Sequence, residues 1–290
     1  AAMSNRMVNE ASPVADTRLS DGSRVSIVLP PVAINGPVIT IRKFYDTPLT
    51  IERLIELESI TAEAAEFLSR LVKSRYNIFI SGGTGSGKTT FLNVLSDYIP
   101  EDERLVTIED SAELQLHNVS NLVRLEARMA NLEGCNAVGI RDLIKASLRM
   151  RPDRIVVGEV RGAEAIDMLQ AMNTGHDGSL STGHANSPKD MMTRLETMVL
   201  MGMEMPVTAI RSQISSAIDI VVHLARLRDK SRKVVQIAEV GDYIGGEVAL
   251  TPLYKFVETG QDKNGKVFGK LVRQENSLIR TEKLKAAGYM

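Results

Sequence analysis

Hydrophobic positions in the first 45 residues occur in short runs that are typical of β-strands. Three such runs extend from Asp16 to Leu19, from Arg24 to Leu29 and from Val38 to Ile41. The first two flank the tetrapeptide Ser20-Asp21-Gly22-Ser23, and Asp-Gly is a strong signal for a tight hairpin turn. Because three short strands hardly make a stable domain alone, we expect the natural protein to contain more of this domain before residue 1.

From residue 50 onwards the pattern becomes helical, and from Asn77 strand and helix patterns alternate. The run from Arg154 to Val157 is nearly all apolar, as expected for a strand that is covered on both faces of a sheet. Strands that alternate with helices predict an α/β fold with a mainly parallel sheet. Further strands are predicted at 77–80, 105–108, 122–125, 178–182, 220–224 and 234–240, and helices at 61–73, 139–150, 163–173, 187–202, 206–217 and 281–287.

The change of pattern predicts the domain organisation. Residues 1–45 are assigned to the C-terminal part of a small β-rich α+β domain, and residues 46–60 to a linker that begins with Asp46-Thr47-Pro48. Residues 61–290 form the α/β domain with a β-rich C-terminal tail.

The sequence Gly82-Gly83-Thr84-Gly85-Ser86-Gly87-Lys88-Thr89 fits the phosphate-binding pattern G-x-x-x-x-G-K-[ST]. It follows an apolar strand and opens an apolar-periodic helix, so backbone N–H groups and a helix N-terminus would surround a phosphate. Lys88 would bring a positive charge to the β- and γ-phosphates of ATP, and the hydroxyl of Thr89 would bind Mg²⁺. We refer to these eight residues and Thr90 as the cradle.

Carboxylates follow two of the predicted strands. Leu105 to Ile108 is followed by Glu109 and Asp110, and Ile155 to Gly158 is followed by Glu159. Since ligands of open α/β sheets collect at the carboxyl ends of strands, we assign Glu159 to water activation and Glu109 to Mg²⁺ or its water shell. The small Gly158 would leave room for Glu159 at the strand end.

His184 follows a further strand, at 178–182, and this placement predicts that it reaches the phosphate edge of the sheet. The hypothesis for His184 is a sensor of the γ-phosphate. Metal binding by histidine is disfavoured because no third ligand stands at a suitable spacing.

Composition narrows the functional classes. The chain has 290 residues, a formal net charge of −1 and only 4% aromatic residues with no tryptophan, a balance that disfavours a nucleic-acid groove with stacking aromatics. The only cysteine, Cys135, excludes an intramolecular disulfide and fits a reducing compartment. No run of about 20 apolar residues and no signal peptide are found, so membrane association would depend on partners.

Four motifs follow one another in this order: the cradle, Glu109-Asp110, Gly158-Glu159-Val160-Arg161 and the His184 segment. In this combination the chain resembles the secretion ATPase superfamily, which serves type II and type IV secretion and type IV pili. The stretch from Leu148 to Gly162 is especially similar to the tight-adherence (Flp) pilus branch, as are Leu19 to Val25 and Thr40 to Phe44. The two Cys-x-x-Cys pairs of type II extension motors are absent, which favours the adherence-pilus or type IV secretion branch.

The resemblance implies a RecA-like P-loop core, the cofactors ATP and Mg²⁺, and a homo-hexamer with ATP between an N-terminal domain and the core. It also implies a cytoplasmic motor at the inner face of the membrane, docked on a platform protein of a pilus or secretion complex. In such motors arginines of the N-terminal domain reach the phosphates, and Arg24 and Arg42 fall on those positions. Other arginines that could serve ring contacts or phosphate charge are Arg124, Arg128, Arg149, Arg151 and Arg161.

Three alternatives share the cradle. A RecA-type nucleic-acid motor would be stimulated by DNA. A small-molecule kinase would transfer phosphate to a metabolite and would need an acceptor pocket. A purely structural nucleotide-binding protein would leave Glu159 and Glu109 without a role.

Overall fold

A computed structural model describes residues 8–43, 48–116, 118–128 and 137–290 of the chain. The chain divides into two compact units, Ala1–Pro48 and Leu49–Met290. Cys135, and the predicted linker residues Asp46 and Thr47, lie outside the described residues.

The first unit contains a three-stranded antiparallel sheet in the order β1-β2-β3. Its strands are β1 (Val14–Arg18), β2 (Arg24–Val28) and β3 (Val38–Arg42). The predicted Asp-Gly turn joins β1 to β2, with the carboxylate of Asp21 accepting a hydrogen bond from the N–H of Ser23 at 2.8 Å. Gly22 has φ +87°, a left-handed conformation that favours glycine.

The second unit begins earlier than the sequence indicated. Thr50 caps helix α1 (Ile51–Glu56), and Leu54 and Ile60 are buried in the core of this unit. Residues 49–60, for which the sequence pattern predicts mostly a linker, form the start of the second unit, because these two apolar side chains pack into its core.

Among the described residues of the second unit there are nine strands, all in one sheet. These strands are β4 (Ile78–Gly82), β5 (Arg104–Glu109), β6 (Asn121–Glu126), β7 (Arg154–Val157), β8 (Leu180–His184), β9 (Ile220–Arg226), β10 (Arg232–Ile244), β11 (Glu247–Gln261) and β12 (Val267–Arg273). The remaining helices are α2 (Ala62–Lys73), α3 (Lys88–Ser96), α4 (Ile140–Ser147), α5 (Glu164–Asn173), α6 (Pro188–Gly202), α7 (Val207–Ala217) and α8 (Glu282–Ala286).

The strand order is β12-β11-β10-β9-β4-β8-β7-β5-β6. The six strands from β9 to β6 run parallel, and the tail strands β10, β11 and β12 extend the sheet as antiparallel hairpins. The predicted RecA-like α/β core with a β-rich tail is therefore confirmed. β4, which leads into the cradle, has parallel partners on both sides.

Alternate residues of β4 pack into two separate cores on opposite faces of the sheet. Ile78 and Ile80 pack with residues of α2 and α3, whereas Phe79 packs with residues of α4 to α7. Burial on both faces explains the nearly continuous apolar sequence of the central strands. The sheet is thereby held rigidly between two helical layers, with its carboxyl edge free to carry the site.

Within the described part of the chain, no helix combines the length and the apolar character that crossing a bilayer requires.

Candidate nucleotide site

The cradle begins where β4 ends and closes at the N-terminus of α3. Gly87 is the residue before α3 and has φ +97°, a left-handed conformation that few other residues adopt without strain. A Cβ atom on Gly82 would overlap the carbonyl oxygen of Leu224 on the neighbouring strand. Glycine is required at position 82 because two backbones approach closely there, and at position 87 because the turn has a left-handed backbone conformation.

Lys88 is buried and all three of its ammonium N–H groups have protein acceptors. Its Nζ donates to the carbonyl oxygens of Gly82 and Gly83, each at 3.1 Å, and lies 3.1 Å from Nδ1 of His184. Burial lowers the pKa of Lys88 from its usual value. A phosphate in the cradle would have to exchange for one or more of these acceptors.

Sheet register brings the other predicted residues to the same edge. His184 at the end of β8 pairs directly with Gly82 at the end of β4. Glu159 follows β7, the next strand along, and Glu109 ends β5, the strand after that. The parallel sheet therefore collects the cradle, His184, Glu159 and Glu109, as the strand-end argument predicted.

His184 connects the cradle to Glu159. Its Nδ1 faces the Lys88 ammonium, and its Nε2 lies 2.7 Å from Oε1 of Glu159. Burial lowers the pKa of His184, so the imidazole is neutral at pH 7. Because Lys88 can only donate, Nδ1 is the acceptor nitrogen and the ring proton sits on Nε2, facing the carboxylate.

Glu159 is held from its other side by Arg161. Oε2 of Glu159 accepts hydrogen bonds from Nε and Nη2 of Arg161 at 2.8 and 2.5 Å. Nη1 of Arg161 also reaches the carboxylate of Asp110 at 3.4 Å. The guanidinium therefore links the ends of β7 and β5 through their acidic residues.

Glu109 is only 3% exposed, and burial raises the pKa of its carboxyl group. Its Oε1 accepts hydrogen bonds from the backbone N–H groups of Glu113 and Leu114, at 2.8 and 2.9 Å, whereas Oε2 is buried without a hydrogen-bond partner. A buried carboxylate oxygen without a partner is costly unless a cation or water meets it. This oxygen, together with the hydroxyl of Thr89 at the start of α3, fits the hard oxygen ligands that Mg²⁺ prefers.

Gly158 leaves room for the side chain of Glu109. A Cβ atom on Gly158 would lie 2.9 Å from Cγ of Glu109. Gly158→Ala is therefore expected to displace the Glu109 side chain and to reduce the free energy of unfolding by about 1–3 kcal/mol, measured by urea denaturation. The matched control is Gly162→Ala in the same loop, whose Cβ would meet its nearest neighbour at 3.4 Å. Equal stability of the two variants would contradict the prediction.

Arg24 and Arg42 lie in the first unit, where they are direct cross-strand neighbours on β2 and β3. Arg18 on β1 pairs with Arg24 on its other side. Three arginines on adjacent strands therefore lie side by side across the small sheet.

Two side-chain contacts near the cradle are not predicted by the sequence pattern. Nε of Arg232 on β10 donates to the carbonyl oxygen of Gly85 at 2.9 Å, and Ser81 on β4 shares a buried 2.7 Å hydrogen bond with Nδ1 of His223 on β9. β9 adjoins β4 and β10 is the next strand out, and both contacts join residues more than 140 positions apart along the chain. The local pattern around Arg232 predicts only a hairpin.

Comparison with known proteins places the chain among secretion proteins. Residues 1–270 match the family model described as type II/IV secretion system protein. A putative conjugal transfer protein of Mycobacterium tuberculosis is 38% identical over 252 residues, covering 85% of this chain and 71% of that protein. The type IV secretion system protein PtlH of Bordetella pertussis is 35% identical over 251 residues, covering 78% and 74%.

Among solved structures, the VirB11 ATPase from the Brucella suis type IV secretion system is similar to this chain. The match has a TM-score of 0.56 and 32% sequence identity, and it covers 81% of this chain and 76% of that chain.

Proposed function

Because the chain belongs to the type II/IV secretion system protein family, we propose that it is an ATP-hydrolysing motor of a secretion or pilus assembly machine. The observation that carries the proposal is the row of contacts from Lys88 at the start of α3 through His184 at the end of β8 to Glu159 after β7. A structural nucleotide site would need the cradle but not a histidine and a carboxylate aligned with its lysine.

In the proposed mechanism the backbone N–H groups of the cradle and the N-terminus of α3 bind the phosphates. Lys88 stabilises negative charge on the β- and γ-phosphates. Glu159 is the general base: a water oxygen attacks the γ-phosphorus, the bond to the bridging oxygen of ADP breaks, and the water proton passes to the Glu159 carboxylate. His184, between Lys88 and Glu159, is the sensor through which occupancy of the γ-phosphate position reaches Glu159.

Thr89 and Glu109 are the residues that would hold Mg²⁺, Glu109 either directly or through water. The ion supplies positive charge that neutralises the phosphates during transfer. Arg24 and Arg42 of the first unit are proposed to contact the phosphates. An arginine in such a role can contribute about 10³- to 10⁵-fold in rate.

The finer assignment is a motor of the tight-adherence pilus branch or of type IV secretion. It is supported by the residues from Leu148 to Gly162 and by the names of the relatives, which include conjugal transfer and type IV secretion proteins. The proposal includes a cytoplasmic location, peripheral at the membrane through an inner-membrane platform protein, and no direct contact with nucleic acid.

Phosphate release by the purified protein, with and without single-stranded DNA, tests the activity. We expect Mg²⁺-dependent hydrolysis of ATP that DNA leaves unchanged. DNA-stimulated hydrolysis would favour a nucleic-acid motor instead. Transfer of phosphate to a metabolite, with no hydrolysis in its absence, would favour a kinase.

The proposed motor is a ring of six copies. We expect the particle mass of the full-length protein in solution, measured with a non-hydrolysable ATP analogue, to equal six chains. The same measurement without nucleotide is the control for ligand-induced assembly. A monomer at high protein concentration with the analogue would contradict the hexamer.

A further inference from the structure

The two oxygens of the Glu159 carboxylate have different surroundings. Oε1 is buried on the side of His184, whose Nε2 lies 2.7 Å away, and His184 in turn faces Lys88 in the cradle. Oε2 accepts both hydrogen bonds from Arg161. Only Oε1 therefore faces the side on which a nucleotide would lie.

Arg161 is suited to hold a carboxylate in one orientation. Two donors of its planar guanidinium meet the same oxygen, Oε2, and together they fix the position of that oxygen relative to the guanidinium. Its third nitrogen reaches Asp110 at 3.4 Å, so the guanidinium is anchored to β5 as well as to β7.

The backbone around Arg161 is also fixed. Oε1 of Glu164, the first residue of α5, accepts hydrogen bonds from the N–H groups of Arg161 and Gly162 at 2.7 and 2.9 Å. The turn after β7 is thereby tied to the start of a helix. Arg161 approaches Glu159 from a braced turn and not from a free loop.

The alternative is an ordinary surface ion pair, since the Arg161 side chain is 61% exposed. Exposed pairs contribute little to stability, so this contact adds little to the fold. Its partner differs from a surface carboxylate because the Glu159 side chain is only 19% exposed and adjoins His184. The pair therefore affects the orientation of the Glu159 carboxylate more than the stability of the fold.

We infer that Arg161 is a positioning residue for hydrolysis: it anchors Oε2 of Glu159 and thereby holds the carboxylate in the orientation in which Oε1 faces His184 and the cradle. This inference rests on the proposed function, and it assigns Arg161 no contact with the phosphates. Its effect passes entirely through Glu159.

A double-mutant cycle tests this role. Single-turnover hydrolysis and equilibrium ATP binding are measured for the wild type, Arg161→Ala, Glu159→Gln and the double variant. Arg161→Ala is expected to slow hydrolysis about 10²-fold, the cost of misplacing a reacting group. In the Glu159→Gln background the same change is expected to alter the rate by less than about twofold, because the group it positions has already been removed. ATP affinity is expected to stay within about twofold throughout.

The matched control is Arg228→Ala. Arg228 makes an equally short pair with Glu258, at 2.8 and 2.5 Å, with its side chain 51% exposed. Hydrolysis by this variant is expected to equal that of the wild type.

Three results would overturn the inference. Hydrolysis by Arg161→Ala could equal that of the wild type, the loss could be the same in both backgrounds, or ATP affinity could fall by about tenfold, as for a residue that binds phosphate. Each of these would leave the proposed motor standing, provided that the wild type hydrolyses ATP. A wild type without hydrolysis would overturn both.

Discussion

Replacing Lys88 with alanine is expected to weaken ATP binding by about 1.5–3 kcal/mol, the contribution of one charge-assisted hydrogen bond. This loss corresponds to roughly a tenfold to hundredfold rise in Kd. The net gain on binding is smaller than the full strength of a lysine–phosphate contact. Before it meets a phosphate, the Lys88 ammonium must give up hydrogen bonds to acceptors such as Gly82, Gly83 or His184. The measurement is equilibrium titration with a non-hydrolysable ATP analogue, so that turnover does not affect the result.

A lysine on the surface provides the control for Lys88. Lys189 on α6 forms an exposed pair with Glu247 at 3.1 Å, and Lys189→Ala removes the same number of atoms and the same charge. Its ATP affinity is expected to match the wild type. Unchanged affinity in Lys88→Ala would mean that the nucleotide is not bound by this cradle.

Glu159→Gln is expected to separate binding from hydrolysis. Glutamine keeps the shape of the side chain but cannot accept the water proton, so kcat should fall by about 10²- to 10⁴-fold, the contribution of a general base. The cradle, with Lys88 and the N-terminus of α3, is unchanged, so ATP affinity should stay close to that of the wild type. Phosphate release and equilibrium binding measured on the same preparation test both parts.

Glu247→Gln, which removes the partner carboxylate of the same exposed pair, is the control for Glu159. It is expected to hydrolyse ATP at the wild-type rate. Turnover by Glu159→Gln near that of the wild type would remove Glu159 from the chemistry. A parallel loss of binding would indicate that Glu159 supports the cradle instead.

The local parts of this site could be predicted from the sequence because each has a short-range physical cause. A glycine-rich turn between an apolar strand and a helix has few other uses, and an acidic residue directly after a buried strand must emerge at the sheet edge. The fold followed from the same logic, since apolar runs such as Arg154 to Val157 need cover on both faces.

Contacts between distant segments could not be predicted in this way. Arg232 reaches Gly85 only because the β9–β10 hairpin adjoins β4, and the bridge that His184 makes from Lys88 to Glu159 depends on side-chain conformations. The unit to which α1 belongs has the same difficulty. The capping signal at Thr50 predicts a helix, but only packing decides which unit that helix joins.

The central position of β4 has a mechanical consequence. This strand is hydrogen-bonded on both sides and every one of its residues is buried, so it cannot open without disrupting the whole domain. If the site hydrolyses ATP as proposed, movements that accompany hydrolysis are therefore expected in the turns that follow β5, β7 and β8 and not in β4.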